Sequence, residues 1–363
     1  MRINILEPHL MGNEKEYILD CLNSNWISSK GSYVTELEKI VLRGNSSRNS
    51  LVTSNGTVAI HLALAAMGIK SEDEVIVPNI TFGATINAVM YTGAKPVIVD
   101  IDPYDWNMCR DSLRKAVTKK TKAIIPVALF GNPSGIKEID DWAKEQELIC
   151  IIDAAEAVGA KIEEKDIGSY ADAVTYSYFG NKTVTTGEGG AVIFKSKSIA
   201  EKARILRDHG MSHNKRYRHD VVGFNYRMTN LQAAIGVAQY ERLDQIIKFR
   251  KELVDRYKDR LSDLDVIFQT EHEDLSPSYW LFAAKFSSKD IKKIESELLK
   301  SEIEFRACFE PMHLQPAFDE AKVIGNQNTS LKIYKNILML PTHNNLKLED
   351  VDYICDKIRK SFK

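Results

Sequence analysis

Short apolar runs alternate with amphipathic helical patterns over the first two thirds of the chain. The apolar runs predict strands at residues 50–53, 74–77, 96–100, 123–127 and 149–153, and a further short strand that begins at residue 174. Apolar residues at helical spacing predict helices at residues 58–67 and 84–91, closed by Gly68 and Gly93. This order is typical of β-α-β units, and it predicts an α/β fold in which helices cover a mostly parallel sheet.

The pattern changes from about residue 231 onward. A long helical stretch at residues 232–260 predicts a connector to a smaller α+β segment with strands at 278–286 and 304–308 and a final helix at 348–360. No repeat or low-complexity linker separates the two parts, so they should pack as one unit. We therefore predict a large domain over residues 1–240, which includes the N-terminal segment, and a small C-terminal domain over residues 241–363.

Composition narrows the class of protein further. The chain has 363 residues, of which 44% are hydrophobic and 27% charged, and its formal net charge is −1. Such a balance gives no electrostatic reason to expect a nucleic-acid or membrane partner. Residues 1–20 contain no apolar signal-peptide core, so we expect a cytoplasmic protein. The five cysteines are scattered without CxxC spacing, which indicates neither a metal site nor a disulfide framework.

Residues 54–57, Ser-Asn-Gly-Thr, lie between a predicted strand and a predicted helix. This arrangement directs backbone N–H groups and a hydroxyl toward an anion at the helix N-terminus, which suits a phosphate. The ordinary alternative is a helix cap by Asn55 or Thr57. The segment contains neither a Walker P-loop nor a dinucleotide-binding fingerprint.

Other candidate site residues stand near the predicted strand ends. Asp153 closes an apolar run, and a carboxylate buried at that edge of a sheet needs a cationic partner, unless it only caps the next helix. Phe82 follows another strand and suits stacking on a flat ring, although a single Phe is more often core. Ser177 offers a hydroxyl to a phosphate, with a solvated turn as the alternative. Lys182 lies in a loop of Gly, Asn and Thr, where a partly desolvated amine is a nucleophile.

Together these residues meet the requirements of pyridoxal 5′-phosphate, which are a phosphate cradle, an aromatic platform, a carboxylate and a Schiff-base lysine. The chain resembles the sugar-nucleotide aminotransferases of the aspartate-aminotransferase-like fold, and most of all their perosamine synthase branch. The resemblance implies fold type I of the PLP-dependent transferases over nearly the whole chain. It rests on these segments, which occur in the family order: Glu7-Pro8 and residues 26–29, 54–59, 153–159, 179–182, 223–230, 278–280 and 311–313.

The resemblance implies a role for each catalytic-site residue. Lys182 matches the Schiff-base lysine, Asp153 the partner of the pyridine nitrogen, and Glu156 the neighbour of the ring hydroxyl. Many family members have Gln in place of Glu156, whereas the perosamine synthase branch has Glu. A branch that removes a sugar hydroxyl has His in place of Lys182, so the lysine favours amino transfer over dehydration.

The remaining cofactor contacts are also implied by the resemblance. Phe82 matches the stacking position, and Gly56, Thr57 and Ser177 match phosphate contacts. Asn225 matches a residue that reaches the phosphate from the neighbouring subunit, which implies a homodimer with shared active sites.

Further candidates are for substrate contacts, because the resemblance places their segments near the cofactor. They are Trp26, Ser29, His219, Arg227 and His313. Each has an ordinary alternative: core packing for the tryptophan, solvation for the serine and His219, a structural ion pair for the arginine, and a helix cap for His313.

The reaction that the resemblance implies is transfer of an amino group from L-glutamate, through pyridoxamine 5′-phosphate, to a ketone on a nucleotide-linked sugar. GDP-4-keto-6-deoxymannose is the acceptor expected of the perosamine synthase branch, in surface polysaccharide biosynthesis. UDP- and dTDP-linked ketosugars and small phosphorylated ketones remain as alternatives. Two other classes are a regulator that binds the cofactor without turnover and a scaffold that only binds sugar nucleotides, and intact Lys182 and Asp153 argue against both.

Overall fold

A computed structural model describes residues 2–212 and 214–362, so residues 1, 213 and 363 lie outside the described part of the chain. The helices are α1 Glu14–Asn23, α2 Ser32–Ile40, α3 Gly56–Ala66, α4 Ala84–Tyr91, α5 Arg110–Ala116, α6 Ile136–Glu145, α7 Lys197–Arg207, α8 Asn230–Glu241, α9 Leu243–Leu261, α10 Ile291–Lys300, α11 Asn328–Ile333 and α12 Leu348–Lys360. The strands are β1 Asn49–Thr53, β2 Glu74–Pro78, β3 Lys95–Val99, β4 Thr121–Ile124, β5 Ile149–Asp153, β6 Lys161–Ile162, β7 Lys165–Asp166, β8 Ala173–Ser177, β9 Gly190–Phe194, β10 Val266–Phe268, β11 Leu275–Ser276, β12 Phe282–Phe286, β13 Arg306–Ala307, β14 Lys322–Val323 and β15 Ile337–Leu340.

The large sheet has the strand order β1-β9-β8-β5-β4-β2-β3-β14. The pairs from β8 to β14 are parallel, whereas β9 pairs antiparallel with both of its neighbours. The carboxyl ends of β1, β2, β4, β5 and β8 therefore meet at one edge of the sheet, where ligands of open α/β sheets bind.

Helices cover both faces of the large sheet, because successive strand residues point to opposite sides. Ile76 of β2 packs on one side with α2, α5, α6 and α8, while its neighbours Val75 and Val77 pack on the other side with α3, α4 and α7. The predicted α/β fold with a mostly parallel sheet between helices is confirmed.

The C-terminal segment forms a smaller antiparallel sheet of order β10-β12-β15-β13. Its apolar core includes side chains of α9, α10 and α12. Contacts that cross the predicted boundary at residue 240 include the pairing of β14 with the large sheet, the pairing of β11 with β6, and the bridge between Ile3 and Ile303. The boundary itself stays a prediction.

Several elements differ from the sequence prediction in their extent. The stretch at 232–260 is two helices, because the chain leaves helical geometry at Arg242 as it passes from the mostly buried α8 to the amphipathic α9. The strand expected at 278–286 begins only at Phe282, since Tyr279 adopts a left-handed φ of 49°. The antiparallel β9 was not predicted, although its apolar run after Gly190 carries the signal.

Gly131 lies where the loop after β4 contacts the chain before β12. Its φ is +97°, and a Cβ there would lie 2.7 Å from Ser278 Oγ, 2.9 Å from the Tyr279 nitrogen and 3.0 Å from the Glu156 carbonyl oxygen. Two of these neighbours are backbone atoms, which cannot move aside cheaply. Glycine is therefore required both by conformation and by space.

We expect Gly131→Ala to lower the free energy of unfolding by roughly 2–4 kcal/mol, because strain at positive φ adds to steric overlap. Gly44→Ala is the matched control, since Gly44 also has a positive φ of 80° but a Cβ there would meet no other atom within 4 Å. That control should lose only about 1 kcal/mol. Urea unfolding followed by fluorescence measures both, and equal losses would contradict the close contact.

Candidate active site

The loops at the carboxyl edge of the large sheet enclose a cavity of about 530 Å³. It is lined by Asn55, Gly56, Thr57, Val58, Ile60, Thr81, Phe82, Ala84, Tyr91, Val127, Asp153, Ala155, Glu156, Ser177, Phe179, Asn181, Lys182, Glu188, Trp280, Arg306 and Phe309. Most of these residues follow strand ends, and the last three come from the C-terminal part of the chain. A cavity of this size accommodates a small cofactor.

Lys182 projects into this cavity from the loop after β8. A turn shapes the loop, in which the Lys182 N–H donates to the Phe179 carbonyl at 2.9 Å. The lysine Nζ lies 3.5 Å from Glu156 Oε1 and 3.7 Å from the ring centroid of Trp280. Burial lowers the pKa of the Lys182 ammonium, while the Glu156 and Asp153 carboxylates oppose that shift. Such an amine loses its proton more readily than a surface lysine does.

Asp153 ends β5 and is almost fully buried. Its Oδ2 accepts a hydrogen bond from Thr85 Oγ1 at 2.7 Å, and its Oδ1 accepts one from the Ala155 N–H at 3.1 Å. Burial raises the pKa of this carboxyl despite the hydrogen bonds and the Lys182 charge. A cationic group in the cavity would stabilise the ionised carboxylate.

Glu156 lies just beyond Asp153 and is equally buried. Its Oε2 accepts a hydrogen bond from the Phe130 N–H at 2.8 Å, which leaves Oε1 directed at Lys182. Burial raises the pKa of the Glu156 carboxyl, and Lys182 acts in the opposite direction. Glu156 and Lys182 therefore restrict each other's position in the cavity.

The start of α3 provides the anion-binding geometry. Asn55 caps the helix by accepting from the Val58 N–H at 3.0 Å. The N–H groups of Gly56 and Thr57 belong to the first turn, which has no acceptor within the helix. A Cβ on Gly56 would lie 2.8 Å from Ser177 Cβ, so glycine allows the helix to start directly against the end of β8. Gly56, Thr57 and Ser177 all line the cavity, so this turn offers two backbone donors beside two hydroxyl-bearing residues.

Phe82 stands at the side of the cavity and is 63% exposed. Its ring centroid lies 6.1 Å from that of Phe309, which in turn stacks on Phe130 at 6.0 Å. A large aromatic side chain left this open at a cavity wall is available to a planar ligand.

Other predicted site residues lie away from this cavity. Asn225 is exposed, and its Oδ1 accepts from Arg227 Nη2 at 3.4 Å, while Arg227 also pairs with Asp208 at 2.7 Å. His219 is exposed, with its Nδ1 2.8 Å from the His209 carbonyl oxygen. None of these residues lines the cavity of its own chain.

The remaining predicted substrate residues are also outside the cavity lining. Trp26 is 56% exposed, and its carbonyl accepts from Asn230 Nδ2 at 2.6 Å. Ser29 is half-buried in the same segment. His313 lies in a short 3-10 helix, with its Nδ1 and its N–H both directed at Asn79 Oδ1, at 3.0 and 3.1 Å.

The DegT/DnrJ/EryC1/StrS aminotransferase family matches residues 8–359. The chain belongs to this family. Its membership confirms the predicted family and the prediction of a PLP-dependent aminotransferase.

Two relatives and one solved structure illustrate the relationship. The chain is 39% identical to GDP-perosamine synthase of Escherichia coli O157:H7, over 99% of this chain and 98% of that protein. It is 40% identical to GDP-perosamine synthase of Caulobacter vibrioides, over 97% and 96% of the two chains. A Streptococcus pneumoniae protein described as a sugar aminotransferase, solved in PMP and PLP forms, is 26% identical; in its PMP form the TM-score is 0.92, covering 99% of this chain and 98% of that chain.

The residues of the cavity fit the family's cofactor, PLP. A buried carboxylate with a raised pKa suits a protonated ring nitrogen, the desolvated Lys182 amine suits a carbonyl carbon, and the donors at the start of α3 suit a phosphate. Within residues 2–212 and 214–362, no cluster of His, Cys, Asp or Glu is arranged to hold a metal ion. No helix in those ranges has the length and apolar character needed to cross a membrane.

Trp280 and Arg306 are two of the cavity residues that were not predicted as site residues. Trp280 belongs to a segment that carries the family resemblance, but its contact with Lys182 depends on the tertiary fold. Arg306 lies on β13 at the cavity and is exposed, and among residues 2–212 and 214–362 it forms no ion pair. The place of this arginine at the cavity depends on the tertiary fold, so the sequence pattern did not predict it.

We expect Glu156→Gln to lower the pKa of the Lys182 ammonium further, because a carboxylate that opposes burial is removed while the side-chain shape is kept. The measurement is the pH dependence of amine modification at Lys182 in the cofactor-free protein, read by peptide mass spectrometry. Glu14→Gln is the control, since Glu14 is another buried glutamate that contacts Gln239. An unchanged or raised pKa in Glu156→Gln would contradict the electrostatic coupling.

Proposed function

We propose that the protein transfers an amino group from L-glutamate to a nucleotide-linked 4-ketosugar, with GDP-4-keto-6-deoxymannose as the best candidate, for surface polysaccharide biosynthesis. The observation that carries this proposal is the convergence of Lys182, Asp153 and Glu156 in one buried cavity. The relatives named GDP-perosamine synthase, which align over nearly the whole chain, support the choice of acceptor. A cytoplasmic location remains part of the proposal.

Seven residues of the cavity are proposed to hold PLP. Lys182 would bind it covalently, Asp153 would accept a hydrogen bond from the ring nitrogen, and Glu156 would lie beside the ring hydroxyl. The phosphate and ring contacts are Gly56, Thr57, Ser177 and Phe82. When bound, the cofactor supplies an electron sink that stabilises negative charge at the substrate α-carbon.

The protein's own contribution is proton transfer and orientation. With the donor bound, the Lys182 amine is proposed to take the proton from the donor's α-carbon. With the acceptor bound, it is proposed to deliver a proton to the carbon that receives the amino group. Its lowered pKa favours the neutral base that the first step needs. Glu156 keeps Nζ at one place in the cavity, since its own orientation is fixed by the Phe130 N–H.

Arg306 is proposed to bind the carboxylate of L-glutamate. Lys182 and Arg306 are the cationic residues among those that line the cavity, and Lys182 is already paired with Glu156. An unpaired guanidinium offers the planar, two-pronged contact that a carboxylate accepts. This placement puts the donor's charged end on the side of the cavity formed by the C-terminal part of the chain.

A homodimer with shared active sites is proposed because Asn225 lies outside the cavity of its own chain. The segments around Trp26 and Asn225 form one surface, since Asn230 donates to the Trp26 carbonyl and its N–H donates to Ser28. Apolar side chains are exposed in these two segments and in the residues that precede them: Leu19, Leu22, Trp26, Ile27 and Val222. Burying these side chains against a second copy is favourable. Trp26, Ser29, His219 and Arg227 would then serve the acceptor site of the partner subunit, whereas His313 serves its own.

With the reconstituted protein, L-glutamate should remove the absorbance band of the bound pyridoxal form, and GDP-4-keto-6-deoxymannose should restore it. Lys182→Ala should bind the cofactor without covalent attachment and should show no turnover. Lys195→Ala, at an exposed lysine, is the matched control and should behave like wild type.

Each other outcome corresponds to one of the alternatives. Restoration by only a UDP- or dTDP-linked ketosugar would replace the GDP sugar as acceptor. A bound cofactor that no donor converts would favour a non-catalytic regulator. No cofactor band after reconstitution would overturn the assignment of Lys182 and favour a protein that only binds sugar nucleotides.

Lys182→Ala and Asn225→Asp homodimers, each inactive alone, should regain activity when they are dissociated and reassembled together. Each mixed dimer has one site with an intact lysine and an intact asparagine from the other chain, so random pairing restores roughly a quarter of the wild-type activity. The measurement is turnover after mixing, with each variant reassembled alone as control. No recovery would show that the two residues do not serve one shared site.

A further inference from the structure

Trp280 covers one side of the Lys182 amine. Its ring centroid lies 3.7 Å from Nζ, and its own Nε1–H donates to the Asn181 carbonyl at 2.7 Å. The same tryptophan thus contacts the side-chain end of Lys182 and the backbone immediately before it. The face of an indole ring attracts an ammonium group, and the hydrogen bond fixes the loop that carries the lysine.

The tryptophan is itself fixed by a buried arginine. Arg250 of α9 is 3% exposed, and its Nη1 donates to the carbonyls of Tyr279 at 3.2 Å and Trp280 at 2.9 Å. No salt bridge with Arg250 occurs within residues 2–212 and 214–362, so its charge is stabilised by these carbonyls and by the Asn344 side chain. Tyr279 is held at a left-handed φ of 49° in this segment. Contacts in the folded protein, including those of the buried Arg250, therefore stabilise this uncommon backbone conformation.

Ser278, which precedes Tyr279 and Trp280, is hydrogen-bonded to Glu156, the other residue that contacts the Lys182 amine. Ser278 Oγ donates to the Glu156 carbonyl at 3.1 Å, and the Ser278 N–H donates to the Gly131 carbonyl at 3.0 Å. Residues 278–280 therefore connect Glu156 on one side with the lysine loop on the other. The distance between the Glu156 carboxylate and the lysine amine depends on this short segment.

We propose that Trp280 is a positioning residue that holds the Lys182 amine at its place in the cavity while that amine is not bonded to the cofactor. This inference rests on the proposed role of Lys182 as the proton carrier. A lysine side chain rotates about several carbon–carbon bonds, and an unrestrained amine spends most of its time away from a reacting atom. The Glu156 carboxylate and the Trp280 indole ring both contact Nζ, and together they restrict its position.

Two substitutions separate the two contacts of the tryptophan. Trp280→Phe keeps an aromatic face but removes the hydrogen bond to Asn181, and Trp280→Leu removes both. Trp106→Phe is the matched control, because Trp106 is fully buried in the same apolar cluster, its Nε1 has no hydrogen-bond partner among the described residues, and it does not line the cavity. A general loss of packing should affect Trp106→Phe and Trp280→Phe alike.

The first readout uses the cofactor-free protein and does not depend on the donor. The rate of Lys182 modification by trinitrobenzenesulfonate, measured by peptide mass spectrometry, should rise in Trp280→Leu by roughly tenfold, because the amine loses its cover. The rate in Trp106→Phe should equal that of wild type, and exposed Lys289 is the internal reference in every variant. An unchanged rate at Lys182 in Trp280→Leu would overturn the proposal.

The second readout is the single-turnover conversion of the loaded enzyme by L-glutamate. We expect the maximal rate constant to fall about tenfold in Trp280→Phe and about a hundredfold in Trp280→Leu, while the donor concentration for half-saturation stays within about twofold. Equal slowing in Trp106→Phe, or a rise in that concentration with no change in rate, would contradict positioning. A wild-type enzyme that glutamate does not convert would instead count against the proposed donor, and the modification experiment would still decide the role of Trp280.

Discussion

The structure depends on the burial of one cation with two carboxylates at the carboxyl edge of the large sheet. Lys182, Glu156 and Asp153 all line the same cavity, and the two acidic side chains are almost completely shielded from water. Taking charges out of water is costly unless each charge is paired. Lys182 forms an ion pair with Glu156. Asp153 has no such direct pair within the described part of the chain; it accepts two hydrogen bonds, and burial raises its pKa. One more positive charge would complete the site, and we propose that the protonated ring nitrogen of PLP is that charge.

The register of three strands brings the anion cradle to this charge cluster. Gly190 begins β9, and it pairs with Thr53 of β1 on one side and Ser177 of β8 on the other. A Cβ at Gly190 would lie 2.6 Å from the Asn55 carbonyl oxygen, so a side chain there would push α3 away from the sheet. The reversed strand therefore aligns the start of α3 with the end of β8. Glycines at positions 56 and 190 permit that close approach.

Local patterns in the sequence predicted most strands of the large sheet and the candidate residues at their ends. Asp153 was predicted from an apolar run that ends in a carboxylate, and residues 54–57 from the chain between a strand and a helix. The family resemblance added Glu156, and the predicted fold, family, activity and cofactor are confirmed. Trp280 was not predicted as a site residue, because its position depends on a buried arginine of α9 and a left-handed Tyr279. Neither contact leaves a periodic signal in the sequence.

The site is consequently a property of both parts of the chain. One apolar cluster combines Trp106, Leu129 and Phe130 of the large-sheet loops with Trp280 and Leu281 before β12. Phe130 also donates its N–H to Glu156, so the cluster that joins the two parts directly orients a carboxylate beside Lys182. Close-packed interiors transmit displacements because they contain little free volume. A shift of the C-terminal part would therefore move the groups that contact the lysine amine.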